Sequence, residues 1–221
     1  MFDKTFALNV AYPAAVAAYQ AMTLPLSGIG LPLGYSSTSF IESTDPTDRP
    51  YGVVGDGAFG KVIAIRGTET LNEWLDDFKA VLVPNPYGVG KVHIGFLDVY
   101  NRIRPSLLTV LRPLITAPVV IVGHSLGGAL ALLLAADLAP FSTVYTFASP
   151  RVGDTVFAAE FDSRSPNCVR IVNEGDVVPH VPLPPLFANV ETPQTVRGGF
   201  RVGDISYAHH LDQYLAGLKK L

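Results

Sequence analysis

A serine at position 125 lies in the run Gly123-His124-Ser125-Leu126-Gly127, directly after the apolar segment PVVIV (Pro118 to Val122) and directly before the helix-forming ALALLLAADL. A serine at a tight strand-to-helix turn is pressed into a strained backbone conformation that small residues two places to either side accommodate, and its hydroxyl stands clear of the sheet. The chemistry this suits is nucleophilic attack on an acyl group. A hydroxyl is a poor nucleophile at neutral pH, so a base must lie within hydrogen-bond reach and a carboxylate must hold that base in one tautomer.

In the order found in α/β-hydrolases, the acid and then the histidine follow such a serine along the chain. The acids after Ser125 are chiefly Asp137, Asp154, Asp162, Glu174, Asp176 and Asp204. Asp176 stands just past the run CVRIV (Cys168 to Val172), two predicted strands beyond the serine's own, and is preferred. Asp154, one strand earlier in SPRVGD, is the runner-up, and Glu174 lies closer to the strand end. The histidine is His180, His209 or His210. His180 falls in a proline-rich loop only four residues after Asp176 and is read as shaping that loop. His209 and His210 open HHLDQYLAGL, whose Leu211, Tyr214, Leu215 and Leu218 keep helical period; a histidine just before a helix has the freedom a proton shuttle needs.

The positioning elements are legible as alternating short β-branched runs and helical stretches. KVIAI (Lys61 to Ile65), PVVIV, TVYTF (Thr143 to Phe147) and CVRIV are nearly all apolar, as central strands covered on both faces are. Tyr51 to Val54, with the Asp56-Gly57 turn, predicts an antiparallel edge hairpin with the strand starting near Phe59. Phe96, Val99, Tyr100 and Ile103 mark one helix, which Pro105 and Pro113 are expected to kink or restart. Leu130, Leu133, Leu134 and Leu138 mark another. Pro13, at a first helical position before AAVAAYQAM, marks a short buried helix. The alternation predicts an α/β fold with a mostly parallel central sheet flanked by helices.

Composition narrows the function classes. The 221 residues carry 16 Lys+Arg against 19 Asp+Glu, a net charge of -3, which leaves no basic surplus for a nucleic-acid partner. With no internal repeat or low-complexity linker, the reading is one domain over residues 1–221. The charge-free run from Thr5 to Ile41 is broken by Asn9, Pro13, Gln20, Pro25, Gly28, Gly30 and Pro32, so it offers neither an apolar spanning helix nor a good secretory signal. One cysteine, Cys168, precludes an intrachain disulfide and leans toward a cytoplasmic location, with export lacking a recognisable signal left open. Cys168 opens a buried strand and reads as an apolar filler. Five histidines without an HExxH or paired-cysteine pattern give no case for a metal, and no cofactor is expected. Oligomeric state is not legible.

The segments IAIRGTETLNEWLDDF, KVHIGFLDVY, VIVGHSLGGALA, YTFASPRVGD and NEGDVVPHVP, ending with HHLDQYL, occur in an order that resembles the class 3 lipases. These α/β-hydrolases include fungal triacylglycerol lipases, feruloyl esterases and plant acyl hydrolases. The resemblance covers nearly the whole chain. It implies Ser125 as nucleophile, Asp176 as acid and the terminal histidine as base, with His209 favoured over His210 by its spacing before Tyr214. It also implies an oxyanion site from Arg66-Gly67-Thr68 and from the Leu126 N–H after the nucleophile. Two fixed donors in a dry site stabilise the charge of a tetrahedral intermediate without reorganising.

Leu71, Trp74, Leu75 and Phe78 fall at i, i+3, i+4 and i+7, with Glu73, Asp76 and Asp77 opposite, so this segment is an amphipathic helix. By resemblance it is a lid over the serine that opens at a lipid surface; the alternative is a packed surface helix. Leu183 and Leu186, in LPPLF, are candidates for an acyl groove or for a rigid loop packed on the sheet. His93 and His124 match family positions but precede Ser125, and are read as architectural. Arg151 is expected to pair a carboxylate below the sheet. The chain is short beside the fungal enzymes, lacks their disulfides and has little room for a large lid domain. The expected activity is therefore hydrolysis of acylglycerol or other apolar fatty-acyl esters through an acyl-enzyme, with a lipid or small-molecule ester as partner and a transient lipid interface. The rivals are feruloyl esterase or phospholipid or galactolipid acyl hydrolase, and, in another class, a catalytically silent binding protein on the same fold.

Overall fold

β-Branched runs form the central strands. In the computed structural model, which describes residues 1–57, 60–68, 79–111, 118–138, 142–164 and 167–221, β3 (Gly60–Ile65), β6 (Val119–His124), β7 (Thr143–Phe147) and β8 (Cys168–Asn173) are mutually parallel neighbours. Ile63 pairs Ile121, and Val122 pairs Tyr145. Successive side chains point to opposite faces of a strand, yet both faces here are apolar because both are covered. Val62, Ala64, Val120, Val122, Tyr145 and Phe147 enter one buried cluster; Ile63, Ile65, Ile121 and Val144 enter the other.

The expected hairpin forms between β2 (Gly52–Gly57) and β3, antiparallel. It is not outermost: β1 (Tyr35–Ile41) pairs antiparallel with β2 and takes the edge, with a register shift between Ser37 and Ser39. Short β9 (Gln194–Val196) closes the opposite edge, parallel to β8. A separate two-stranded antiparallel ribbon joins β4 (Leu82–Pro84) and β5 (Lys91–His93).

The first face of the sheet carries α1 (Tyr12–Gln20), continuing from a helical turn at Lys4–Phe6 and a π-helical turn at Ala7–Ala11. The helical path thus begins well before Pro13. Tyr12 N–H donates to Ala7 O across the π turn, and Pro13 follows with no N–H to give. Ala14, Ala15, Ala17 and Ala18 are all buried, and their small size lets the helix axis approach the sheet closely.

The other face carries α2 (Ile94–Leu111), α3 (Leu126–Leu138) and α4 (Thr155–Arg164), all contributing to one core. Pro105 does not restart α2, which runs through it. Pro105 and Asn101, whose carbonyl loses its i+4 donor, are both exposed, so the unpaired carbonyl is open to solvent rather than buried. Pro113 lies outside the described residues. Two further helices, α5 (Ile205–His209) and α6 (Leu211–Lys220), end the chain, with Tyr214 and Leu218 buried beside α1. Among the described residues, no helix is long and apolar enough to cross a membrane. This is the α/β-hydrolase architecture.

Candidate active site

Ser125 occupies the joint between the end of β6 and the start of α3 with a φ of +58°. A non-glycine residue adopts that left-handed conformation only where its surroundings over-determine it. Here Ser125 N–H donates to Phe147 O at 2.9 Å, tying the joint to β7. A Cβ at Gly123 would run into the Gly127 carbonyl, and one at Gly127 into the carbonyls of Ile65 and Arg66. The two glycines are needed for close approach at this turn. The Ser125 side chain is buried, and its Oγ has no hydrogen-bond partner among the described residues. It lines a cavity of about 280 Å³ together with Tyr19, Thr68, His124, Ser206, His209, His210, Leu211 and Asp212.

Asp176 follows β8 through a turn whose Gly175 has a φ of +96°. Its carboxylate accepts from Val178 N–H at 3.0 Å, from the Tyr214 hydroxyl at 2.6 Å, and from His209 Nδ1 at 2.9 Å and 3.2 Å. Burial pushes this carboxyl up, but the hydrogen bond and charge of His209, then Tyr214 and Val178, outweigh it and hold Asp176 below its usual value. Nδ1 of His209 therefore carries the proton, leaving the Nε2 lone pair to accept one.

The rest of the surroundings restrain His209. It ends α5, a five-residue helix capped by the Asp204 carboxylate on Tyr207 N–H. Asn173 Nδ2 donates to Ala208 O at 2.9 Å, and His124 Nε2 donates to His209 O at 2.9 Å. These bonds satisfy carbonyls that a helix C-terminus leaves open.

The structure brings His209, and not His210, against Asp176; His210 is exposed and caps α6. The other acids have different partners. Asp154 Oδ1 accepts from Phe157 N–H at 2.8 Å at the start of α4. Exposed Glu174 pairs Arg197 at 2.7 Å, and Asp137 pairs Arg104 and Tyr100. Asp162 accepts from Glu191 N–H.

Thr68 shares the cavity with Ser125. Its loop is held by Arg66, which donates to the carbonyls of Pro50, Gly67 and Arg49 and lies over the Tyr51 ring. Leu126 is the first residue of α3, so its N–H is among those a helix leaves without an intrahelical acceptor. Both flank Ser125, where donors to an oxyanion are needed.

Trp74, Leu75 and Phe78, with Leu71 and the acidic residues opposite, lie outside the described residues. Leu183 and Leu186 are 71% and 61% exposed and line a groove of about 460 Å³ with Ala80, Val181 and prolines 182, 184 and 185. The same loop is anchored by Phe187, 1% exposed and packed on His93. Arg151 corrects an expectation. Among the described residues it pairs no carboxylate, but donates to the backbone carbonyls of His180 and Pro182, stapling this loop to the end of β7. That loop, rich in proline, leaves carbonyls without N–H donors and so attracts the guanidinium. Cys168 is buried, and burial pushes its thiol up to about 12, the behaviour of an inert filler.

Residues 62–185 match the Lipase (class 3) family. The chain belongs to the class 3 lipases. The lipase of Rhizomucor miehei is 40% identical over 141 residues, 58% of this chain and 39% of that protein. Phospholipase A1 EG1, chloroplastic/mitochondrial, of Oryza sativa subsp. indica is 29% identical across 94% of this chain and 57% of its own length. The chain thus spans less than two thirds of either relative. The crystal structure of an MDLA variant from Penicillium cyclopium superposes with a TM-score of 0.76 at 22% identity, over 96% of this class 3 lipase chain and 97% of that one, a likeness of fold.

Three polar residues beside the cavity carried little sequence signal. Tyr214 was visible as a spacing marker after His209 but not as a ligand of Asp176. Tyr19 lies far from Ser125 in the chain, and Asn173 reads as a strand end.

Buried histidines give one stability prediction. His124 is buried, and burial, then the neighbouring His209 charge, pushes it down to about 3; burial also lowers His93. The unfolded chain binds protons at these rings near pH 6.5, while the folded chain refuses them until lower pH. Stability is therefore lost as pH falls below about 6.5, and Asp176 adds to the loss below the usual carboxylate range. Unfolding midpoints from about pH 8 down to about pH 4 measure this; a flat or rising profile contradicts the placement of these rings.

Proposed function

We propose that this class 3 lipase hydrolyses carboxylic esters of apolar acids, with Ser125 as nucleophile, His209 as base, Asp176 as its orienting acid, and Thr68 and Leu126 as oxyanion donors. The observation that carries the reading is that His209, hydrogen-bonded to buried Asp176, lines one cavity with Ser125, whose hydroxyl has no hydrogen-bond partner among the described residues. Ser125 Oγ attacks the ester carbonyl carbon as His209 Nε2 takes its proton. The oxyanion rests against N–H donors of the Thr68 loop and Leu126. Collapse breaks the carbon–oxygen bond to the alcohol, which leaves with the proton from Nε2. A water then loses a proton to Nε2 and attacks the acyl carbon; the bond to Ser125 Oγ breaks as Nε2 returns that proton to it, freeing the acid.

The apolar groove at Leu183 and Leu186 supports an acyl chain as the acid part. Exposed Val177, Leu183, Leu186, Phe200, Val202 and Ile205 lie in the segments that follow Asp176 and lead into His209, which supports transient contact with a lipid surface. Phospholipid hydrolysis is the second reading, favoured by the rice relative; the Asp212 carboxylate on the cavity wall and the net charge of -3 weigh against an anionic headgroup.

A panel of p-nitrophenyl esters from acetate to palmitate, with triacylglycerol and phosphatidylcholine emulsions, tests this. The expected result is a rising kcat/KM with acyl length, each added methylene contributing up to about 0.8 kcal/mol while it is buried, and acylglycerol preferred to phospholipid. Leu183→Asp with Leu186→Asp flattens the length dependence and spares acetate. A preference for acetate, or for feruloyl esters, contradicts the acyl groove.

A further inference from the structure

A chain of hydrogen bonds runs along the cavity wall. Gly67 N–H lies 3.0 Å from the Tyr19 hydroxyl, which lies 2.7 Å from His124 Nδ1; His124 Nε2 lies 2.9 Å from His209 O. The direction of each bond is determined. The His209 carbonyl only accepts, so His124 Nε2 carries the hydrogen. A neutral imidazole has one N–H, so Nδ1 accepts, and Tyr19 must donate to it. The Tyr19 oxygen is then left to accept from Gly67. Burial keeps both groups in the required form, with Tyr19 pushed up to about 12. The His124 ring also lies against the His209 ring, centroids 4.7 Å apart and the planes tilted by 39°.

The four residues come from α1, the loop after β3, the end of β6 and the end of α5. Two of these segments hold Thr68 and His209, the groups assigned to the oxyanion and to proton transfer; the third holds Ser125 one residue after His124. We infer that Tyr19 and His124 are positioning residues that lock the oxyanion loop and the base histidine in mutual register through this chain. The inference rests on the assignment of Ser125 and His209 above. Catalytic groups must hold their geometry to fractions of an ångström, and a misplacement of about 1 Å can cost about a hundredfold in rate. Neither residue touches the reacting atoms in this account. Their loss acts on the transition state, where register matters, more than on substrate capture.

The test combines steady-state kinetics with nitrogen-15 NMR of the histidine rings. Tyr19→Phe keeps the ring and removes both hydroxyl bonds; it is expected to lower kcat about tenfold or more, with KM changed less than about twofold. His124→Leu is expected to lose more, and His124→Gln, which keeps an N–H within reach of the His209 carbonyl, to recover part of that loss. The double variant Tyr19→Phe with His124→Leu is expected to match His124→Leu alone, because one chain is broken once. Unchanged kcat in Tyr19→Phe, an effect confined to KM or to the unfolding midpoint, or independent multiplication of the two losses overturns the inference. The wild-type protein gives a test that no folding defect obscures. His124 should be the Nε2–H tautomer from about pH 5 to 8, and an Nδ1–H tautomer or a protonated ring there overturns the chain. If Ser125→Ala keeps full turnover the catalytic assignment fails first; if it is inactive while Tyr19→Phe is unaffected, only the positioning inference fails.

Discussion

Ser125→Ala is expected to lower kcat on p-nitrophenyl butyrate by about a millionfold, to the level left by oxyanion donors and binding alone. The expectation follows from what the hydroxyl does and from what it does not do. It stands on the cavity wall at the strand-to-helix turn, and without a nucleophilic oxygen there no acyl-enzyme forms. It has no hydrogen-bond partner among the described residues, so its removal leaves none of them orphaned. Alanine has the same Cβ as serine and meets the same strain at a φ of +58°. The unfolding midpoint should therefore stay within about two degrees of wild type. Full turnover in a folded Ser125→Ala protein contradicts the nucleophile assignment; a collapsed midpoint contradicts the claim that the side chain is structurally idle.

Asp176→Asn is expected to lower kcat by about ten-thousandfold while Asp154→Asn leaves it near wild type. The buried carboxylate accepts from His209 Nδ1, Tyr214 and Val178. An amide in its place offers N–H to the imidazole and turns it over to the tautomer whose Nε2 carries the proton, which cannot then accept one from Ser125. It also removes the negative charge that stabilises the imidazolium formed during attack. Asp154 caps α4 through Phe157 N–H, so its replacement costs about 1 kcal/mol of stability or less and no chemistry. Activities and unfolding midpoints of the two variants, measured together, check both halves. The reverse ranking transfers the acid role to Asp154.

Central strands were legible because their composition leaves no choice. Lys61 to Ile65 and Pro118 to Val122 are too short and too β-branched for helices, and they form β3 and β6. The edge strands were not. Tyr35–Ile41 is mostly polar and shows no apolar alternation, and Gln194–Val196 is three residues long; pairing with the sheet, not local pattern, makes them strands. Pro105 does not restart its helix, because on the solvent face of a long helix the carbonyl that loses its donor stays open to solvent.

Within the site, Ser125 was legible because the turn demands small residues at Gly123 and Gly127, a local requirement. Asp176 and His209 were legible through chain order and family resemblance. Their supports were not, because Tyr19, Asn173 and Tyr214 act through contacts between segments remote in sequence. His124 was read as architectural, and its ring does hold backbone; what the sequence lacked was the identity of that backbone, the carbonyl of His209.

The most direct test is covalent. Incubating the wild-type protein and His209→Ala with a fluorophosphonate, then mapping the adduct by peptide mass spectrometry, reads both the reactive hydroxyl and its activation. The account predicts one adduct per chain on Ser125, formed at least about a hundredfold more slowly in His209→Ala. An adduct on another residue, no adduct from a protein that turns over ester, or undiminished labelling of His209→Ala contradicts it.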